Sequence, residues 1–418
     1  MNNIKVQTLK GFRDFLPVEA RKRQFVINTL KKVFESFGFE PLETPSLEYE
    51  EILLGKYGTE GDKLMYRFED NGKRRVAMRY DQTVPLARVV AQYQSVLPIP
   101  FKRYQIQPVW RAENTQKGRY REFLQCDADI VGSSSYLSDA EVIAVATKSL
   151  EKLGFKNFKI FINDRSSFSD ISKETIVIID KLKKIGREKV IQELVDKRIA
   201  KTPNDAASIL SSIDGNKPTN RISEIFSSLE KLGVETQKYE FSPTLARGLD
   251  YYTGLIFEIE IDGYTAGSVC GGGRYDALIG MFAGRDIPAV GFAFGFDRLI
   301  EAMEELKLFP ADLQTTKVLV TVFPASPDGG QGGSPELLEK SLEVSSQLRA
   351  NSINTEIYLD DKTSLEKQLK YADQKGIPYV IIIGPEEVEK NVVTIKNMKT
   401  REQKQVTIET LSNELELI

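Results

Sequence analysis

The stretch VWRAENTQKGRYREFLQCDADIVG, residues 109–132, contains the end of one strand-like segment and the whole of a second. Two segments in which polar and apolar residues alternate, 101–113 and 121–132, flank the polar and basic run 114–120. An alternation with a period of two is typical of β-strands with one buried face. Two such strands joined by a short connection predict an antiparallel sheet at this point of the chain.

Upstream of this pair, the spacing of apolar residues predicts an amphipathic helix over 20–38 that stops at a glycine. Two further alternating segments, 64–70 and 74–80, are separated by Asn71-Gly72. That dipeptide is a strong signal for a two-residue β-hairpin turn. We therefore expect a hairpin between the first helix and the central strands.

Downstream, a helix is expected over 139–153 and a strand over 158–163. Residues 172–235 have helical patterning and few aromatic residues, which predicts a helical insertion. Strand patterns return at 255–261 and 289–295. The first part of the chain is thus predicted to be an α+β domain, residues 1–312, built on an antiparallel sheet.

Strands and helices alternate from residue 317 onward, which predicts a separate α/β domain over 317–418 with a largely parallel sheet. A linker is expected at 307–316. The Gly-rich run 327–336 lacks the Lys-Ser/Thr pair of a nucleotide-binding P-loop, so it is interpreted as a flexible connection.

The amino-acid composition limits the classes of protein to which this chain can belong. The chain has 418 residues, 41% of them hydrophobic and 28% charged, and no apolar run reaches the roughly 18 residues of a membrane span. Its two cysteines are too few for a disulfide framework, and its N-terminus lacks an apolar signal core. We expect a cytoplasmic globular protein without a membrane partner. The net charge of −3 gives no global signal for nucleic acid.

The chain contains no histidine. This excludes Ser-His-Asp and Cys-His nucleophilic sites, His-ligated zinc and the usual general base at neutral pH. Any catalysis must depend on Arg, Lys, carboxylates, Tyr and backbone dipoles, which favours stabilisation of charge over transfer of protons.

Five arginines are spread over predicted strands and loops: Arg111, Arg119, Arg121, Arg247 and Arg298. A guanidinium keeps its charge and presents a planar fork of donors, so several of them in one pocket would suit the phosphates of a nucleotide. Each of them alone could equally be an ordinary surface cation.

The order of these motifs resembles a known family. Residues 109–132 are similar to the second signature motif of class II aminoacyl-tRNA synthetases, and GFAFGFDRL, 291–299, resembles the third. LARGLDYYTG, 245–254, together with GSVCGGGRYD, 267–276, resembles the histidine-binding signature of histidyl-tRNA synthetases. Supporting similarity lies at 9–17, at Pro45, at 79–88 and, for the anticodon-binding domain, at 369–384 and 393–403.

The resemblance implies a role for individual residues. Contacts to histidine are implied for Asp81, Thr83, Arg111, Gln125, Asp129, Arg247, Tyr251 and Tyr252; contacts to ATP for Arg111, Glu113, Arg119, Phe123 and Arg298; and contacts to the acceptor end of tRNA for Gln116 and Lys117. Arg247 and Arg111 would be the catalytic pair. A carboxylate and a hydroxyl at positions 81 and 83 are plausible acceptors for an ammonium group.

The resemblance further implies a histidine–tRNA ligase that uses ATP with Mg²⁺, holds no metal of its own, binds its cognate tRNA and forms a homodimer. The alternative is a non-catalytic relative that serves as a regulatory or sensor protein. Simpler roles also stay open for single residues: Asp129 could form an internal salt bridge, Tyr251 and Tyr252 could be core aromatics, and 271–273 could be a turn.

Overall fold

The computed structural model describes residues 5–56, 58–115, 118–246, 251–324 and 334–416. The contacts within the chain divide it into two compact units, with the boundary between Phe309 and Pro310. This boundary lies inside the expected linker 307–316. Within the described ranges, no helix is both long and apolar enough to cross a membrane.

The first unit contains the following elements among its described residues. Its strands are β1 (Glu40–Pro41), β2 (Leu47–Tyr49), β3 (Arg67–Glu69), β4 (Arg75–Met78), β5 (Phe101–Trp110), β6 (Glu122–Val131), β7 (Phe158–Asp164), β8 (Tyr239–Phe241), β9 (Leu255–Ile261), β10 (Cys270–Arg274) and β11 (Ala289–Gly295). Its helices are α1 (Pro17–Ser36), α2 (Glu50–Leu53), α3 (Gly58–Lys63), α4 (Thr83–Tyr93), α5 (Tyr136–Lys152), α6 (Lys173–Ile179), α7 (Leu182–Ile185), α8 (Arg187–Asp196), α9 (Pro203–Asp214), α10 (Asn220–Lys231), α11 (Gly280–Ala283) and α12 (Phe296–Glu305), with 3₁₀ turns at Arg165–Phe168 and Thr236–Lys238.

The main sheet of the described residues has eight strands in the order β1-β5-β6-β11-β10-β9-β7-β8. All five pairings from β5 to β7 are antiparallel, and only the outer pairs β1-β5 and β7-β8 are parallel. The predicted pair around residues 109–132 is the β5-β6 ladder, so the prediction of an antiparallel sheet is confirmed.

Strand β6 shows how the sequence divides the sheet into two faces. Cys126, Ala128 and Ile130 are buried in a hydrophobic core that α1 and α5 also enter. Because side chains alternate along a strand, Gln125 and its neighbours at 127 and 129 lie on the opposite face. The polar residues of the motif are therefore collected on one side of the sheet.

The predicted hairpin exists, but its turn is longer than expected. β3 and β4 pair antiparallel, and the backbone N–H of Asp70 donates to the carbonyl of Arg74 at 3.0 Å. The loop therefore has three residues and ends at Lys73, which has a φ of 58°. The Asp70 carboxylate accepts from the N–H groups of Gly72 and Arg74, both at 2.9 Å, and this stabilises the longer turn.

The helical insertion predicted at 172–235 is confirmed as the run α6 to α10. A capping box between Thr202 and Asp205 begins α9. Apolar residues of α10, among them Ile222 and Leu229, are buried in the same core as α5.

A buried ion cluster connects the insertion to the sheet. Arg274 at the end of β10 donates from Nε and Nη2 to Oδ1 of Asp139 in α5, at 2.9 and 2.5 Å. Arg221 of α10 donates to the other oxygen, Oδ2, at 2.5 Å. Asp139 is 0% exposed, so a single carboxylate joins three elements of the fold.

The second unit is an α/β domain, as predicted. Its described elements are β12 (Val318–Val320), α13 (Pro335–Ala350), β13 (Thr355–Ile357), α14 (Leu365–Lys375), β14 (Tyr379–Ile382), α15 (Pro385–Glu389), β15 (Val392–Asn397), β16 (Gln403–Thr407) and α16 (Leu411–Glu416). Its sheet has the order β13-β12-β14-β15-β16.

The expectation of a largely parallel sheet in this unit is correct only for half of the pairings. β12 pairs parallel with β13 and β14, whereas β14-β15 and β15-β16 are antiparallel. Only five residues separate β15 from β16, too few for the crossover that a parallel pair needs. Most of the Gly-rich run 327–336 lies outside the described residues.

We expect Asp139→Ala to destabilise the first unit by about 3–5 kcal/mol, because it leaves two guanidinium groups without their shared carboxylate. The only tryptophan, Trp110, lies on β5 of this unit, so urea unfolding followed by its fluorescence reports on this unit.

Glu141→Ala is the matched control on the same helix. Glu141 pairs with Lys102 at a partly exposed site, so its loss should cost about 0.2–1 kcal/mol. Equal losses of stability in the two variants would show that the buried cluster contributes no more than the partly exposed pair.

Candidate active site

The polar face of the main sheet opens into a cavity of about 470 Å³. Every site residue predicted from the sequence that the structure describes lines this cavity: Asp81, Thr83, Arg111, Glu113, Arg119, Phe123, Gln125, Asp129, Tyr251, Tyr252 and Arg298. The other three predicted residues, Gln116, Lys117 and Arg247, lie outside the described residues.

Small residues on β11 make room for the cavity. The register places Gly295 opposite Gln125, Ala293 opposite residue 127 and Gly291 opposite Asp129. A Cβ atom at position 291 would lie 1.9 Å from Oδ1 of Asp129. Larger residues on this strand would therefore occupy the space above the polar face.

The run 271–273 is not a turn, as one interpretation allowed, but part of strand β10. A Cβ at Gly272 would lie 2.3 Å from the carbonyl oxygen of Gly291, and one at Gly273 would lie 2.8 Å from the ring of Tyr252. The glycines are required because neighbouring strands and rings approach the β10 backbone so closely.

Asp129 forms an internal salt bridge, as one interpretation allowed, and its side chain also lines the cavity. It is 3% exposed and lies 2.8 Å from Nη2 of Arg103, which makes an internal salt bridge, and it also lines the cavity. It accepts a hydrogen bond from the hydroxyl of Tyr275. Burial raises the pKa of Asp129, while Arg103 and the Tyr275 hydroxyl lower it in part.

Three buried residues of this cluster were missed from the sequence: Arg103, Asp127 and Tyr275. Arg103 stands in register with Asp129 across the β5-β6 ladder, so aligning the two predicted strands could have found it. Tyr275 follows the glycines of β10 and is buried, which raises its pKa well above its ordinary value. Asp127 lies two residues before Asp129 on β6, so both side chains are on the same face of the sheet.

The two tyrosines at 251 and 252 combine core packing with contact to the cavity. Their rings lie 4.9 Å apart, and the ring of Tyr251 lies 6.0 Å from that of Tyr275. Tyr252 belongs to a buried hydrophobic cluster that also contains residues of the helical insertion. Together these three rings form an aromatic wall beside Asp129.

Asp81 lies just before α4, and its Oδ1 accepts from the backbone N–H of Val84 at 3.2 Å. Gln125 lies in the same cavity. Its amide Nε2 donates to Asp127 at 2.8 Å, and its Oε1 accepts from Arg111 at 3.4 Å.

Arg111 is held between two aromatic rings. Its guanidinium carbon lies 4.4 Å from the ring centre of Tyr80 and 5.1 Å from that of Phe123, and its Nε donates to the carbonyl of Tyr80 at 3.0 Å. Such packing fixes the direction of the cation and leaves a flat aromatic surface next to it.

Two more arginines, Arg119 and Arg298, line the cavity. Arg119 lies 3.5 Å from Glu113, and Arg298 donates to the carbonyl of Ser268 at 2.8 Å. Arg121 was grouped with them in the sequence, but it does not line the cavity in the part of the chain that the structure describes. Its Nε donates to the carbonyl of Glu113 at 3.1 Å.

The N-terminal segment contacts this region through bonds that were not predicted from the sequence. The carbonyl of Gly11 accepts from the N–H of Arg121 at 2.9 Å. Arg13 lies 3.2 Å above the ring of Tyr120 and 3.0 Å from the carboxylate of Asp297. Segment 9–17 therefore connects the loop after β5 to the start of α12.

No group of three or more Cys, Asp or Glu that could hold a metal ion lies among the described residues. The cavity offers acceptors at its buried end and three arginines nearer its mouth. Such an arrangement suits a small cationic or hydrogen-bond-donating molecule beside a polyphosphate.

Comparison with known proteins agrees with this chemistry. The family model for histidyl-tRNA synthetase matches residues 11–200 and 177–299, and the model for an anticodon-binding domain matches 319–417. A histidine–tRNA ligase of Rhodopirellula baltica is 41% identical over 96% of each chain, and one of Cytophaga hutchinsonii is 38% identical over 97% of this chain and 98% of that protein.

A crystal structure of histidyl-tRNA synthetase from Nostoc sp. is similar in fold. It superimposes with a TM-score of 0.85 at 31% identity and covers 99% of this chain and all of that one. The similarity therefore extends over both units of the chain.

Gly291→Ala should destabilise the first unit by about 1–3 kcal/mol, because the added Cβ would collide with the Asp129 carboxylate and force it off its partners. Urea unfolding measures the change. Gly295→Ala on the same strand is the control, since its Cβ would come no closer than 3.4 Å to a side-chain carbon of Arg298. If both variants have the same free energy of unfolding as the parent protein, the Asp129 carboxylate does not lie as close to Gly291 as the structure describes.

Proposed function

This chain belongs to the histidyl-tRNA synthetase family and is a histidine–tRNA ligase, and we propose that the cavity of the first unit carries out both steps of its reaction. The observation that supports this most directly is the convergence of buried acceptors and three arginines in one cavity. The enzyme uses ATP as a substrate. We further propose that Mg²⁺ enters bound to the ATP phosphates.

In the first step, a carboxylate oxygen of histidine attacks the α-phosphorus of ATP, and the bond to pyrophosphate breaks. The product is histidyl-adenylate. In the second step, a ribose hydroxyl of the tRNA 3′ end attacks the carbonyl carbon, and AMP leaves. Such transfers depend mainly on positioning and on stabilising charge at the phosphorus, so a chain without histidine can perform them.

The buried end of the cavity is assigned to histidine. Asp81, Thr83 and Gln125 would hold its ammonium group, because each offers an oxygen acceptor. Asp129 would accept from one ring N–H, and Tyr252 would contact the other ring nitrogen, with Tyr251 beside it. The hydrogen bond from Tyr275 and the ion pair with Arg103 support this role, since they orient the Asp129 carboxylate.

The outer part of the cavity is assigned to ATP. Arg111 would contact the α-phosphate and the substrate carboxylate, and Phe123 would stack on adenine. Glu113 would accept from the adenine amine, while Arg119 and Arg298 would bind the outer phosphates. The aromatic rings that fix Arg111 support its catalytic role, because a cation held in place costs little reorganisation when charge develops.

The roles of Arg247, Gln116 and Lys117 remain predictions from the sequence. Arg247 would stabilise the developing charge at the α-phosphorus. Gln116 and Lys117 would contact the acceptor end of tRNA.

The second unit is proposed to bind the tRNA anticodon. From residue 317 it has 12 Lys and Arg against 16 Asp and Glu, so bulk positive charge cannot supply the affinity. A cleft in this unit is lined by Phe323, Lys396, Lys404 and two glutamines, Gln403 and Gln405. Aromatic stacking and hydrogen bonds of this kind are how unpaired RNA bases are recognised.

We also propose that the enzyme works in the cytoplasm as a homodimer. The small sheet β2-β4-β3 exposes Leu47, Tyr49 and Phe68, at 42%, 53% and 42%. An apolar face of this kind suits a second copy of the chain.

The purified protein should catalyse histidine-dependent exchange of pyrophosphate into ATP and should charge the cognate tRNA with histidine. Exchange is measured with labelled pyrophosphate, and other amino acids serve as controls. Histidine binding without exchange would instead favour the non-catalytic regulatory or sensor function.

Asp129→Asn should raise the Michaelis constant for histidine in the exchange reaction by about ten- to a hundredfold, because a charge-assisted acceptor for the ring N–H is lost. The constant for ATP should change less than about twofold, since the residue lies at the histidine end. An unchanged histidine constant would remove Asp129 from the binding site.

A further inference from the structure

The carboxylate of Asp127 lines the cavity but is not used by the assignments above. Asp127 lies on β6 between Gln125 and Asp129, is 2% exposed and lines the cavity. Its Oδ2 accepts from Nε2 of Gln125 at 2.8 Å. Its Oδ1 is buried and has no hydrogen-bond partner among the described residues.

The charged residues described around Asp127 do not make up for the missing donor at its Oδ1. Arg103 is the neighbouring cation, but its Nη2 lies 4.0 Å from Asp127 and 2.8 Å from Asp129, so it serves mainly the latter. Burial raises the pKa of the Asp127 carboxyl, and Arg103 lowers it only in part. A buried acceptor without a donor carries an unfavourable desolvation free energy. A ligand that brings a donor to this oxygen from the cavity would remove that penalty and bind more tightly.

We propose that Asp127 is a further histidine-binding residue, whose Oδ1 accepts a hydrogen bond from the ammonium group of the amino acid. This inference rests on the proposed function, because it assumes that histidine occupies the buried end of the cavity. No contact to the substrate was expected for Asp127 from the sequence.

The ammonium is favoured over the ring for two reasons. Asp127 is joined to Gln125, which is assigned to the ammonium, whereas the ring end has its own acceptor in Asp129. In addition, other acceptors of the ammonium already receive bonds from the protein: Oδ1 of Asp81 from Val84, and Oε1 of Gln125 from Arg111. Asp127 supplies an oxygen that the protein leaves unused, at a point where a full positive charge would arrive.

Asp127 would also orient the side chain of Gln125. Because Oδ2 accepts from the Gln125 amide nitrogen, the Gln125 amide is held with its oxygen directed away from Asp127, where it can accept a second hydrogen bond besides that from Arg111. One carboxylate would thus contact the substrate with one oxygen and orient a second contact with the other.

The test is Asp127→Asn with two ligands. An asparagine keeps an oxygen for Gln125 but places an NH₂ donor where Oδ1 was, so it opposes an ammonium group without removing the support of Gln125. The ligands are histidine and 3-(imidazol-4-yl)propionate, which has the ring and carboxylate but no ammonium. We expect Asp127→Asn to weaken histidine binding about ten- to a hundredfold and the analogue less than about twofold, both measured by calorimetry.

Glu122→Gln is the matched control. Glu122 lies on the same strand, accepts from the indole N–H of Trp110 at 2.6 Å and does not line the cavity in the described part of the chain. It loses a charge but keeps its acceptor, so binding of both ligands should equal that of the parent protein.

Unchanged histidine binding by Asp127→Asn, or equal losses for the two ligands, would overturn the proposal. If the asparagine variant does not fold, the same ratio of affinities is measured with Asp127→Ser, and the same two results overturn it. Failure of the proposed function looks different, because the parent protein itself would then catalyse no histidine-dependent exchange of pyrophosphate into ATP.

Discussion

The ion pair between Arg103 and Asp129 is the constraint on which the rest of the site depends. Arg103 is 0% exposed, and its Nη2 lies 2.8 Å from the carboxylate of Asp129 and 4.0 Å from that of Asp127. Burial raises the pKa of both carboxyl groups, and the Arg103 guanidinium lowers it in part. The register of β5 against β6 is therefore also an electrostatic requirement, since a shift by one residue would move Arg103 to the other face of the sheet.

Space above this pair comes from strands that carry almost no side chains on the same face. Gly291 and Ala293 stand opposite Asp129 and Asp127, and the glycines of β10 lie on the next strand. Glycine weakens a strand because it loses more conformational entropy on folding. Part of this cost is offset at the end of β10, where Arg274 is bound by Asp139 and the adjacent Tyr275 reaches Asp129.

Much of the fold followed from residue patterns, and the exceptions have physical causes. The β5-β6 pair, the helical insertion and eleven of the residues that line the cavity were predicted from alternation, spacing and motif similarity. β10 was missed because Cys270–Arg274 has no strand propensity and is held by its neighbours and by Arg274. The three-residue turn at Lys73 depends on the hydrogen bonds of the Asp70 side chain. Arg103 was missed because its role depends on the register of β5 against β6, which motif similarity alone does not give.

The absence of histidine is consistent with this arrangement. Side chains that titrate near neutral pH are useful where a proton must move at the reacting centre. Here the reacting atoms are a carboxylate and a phosphorus, so the requirement is fixed positive charge, which arginine provides at any physiological pH. Arg111 is held by aromatic rings and Arg103 by carboxylates, and each is fixed before a ligand binds. The substrate itself then brings the imidazole, and the protein's task is to supply acceptors of defined direction around it.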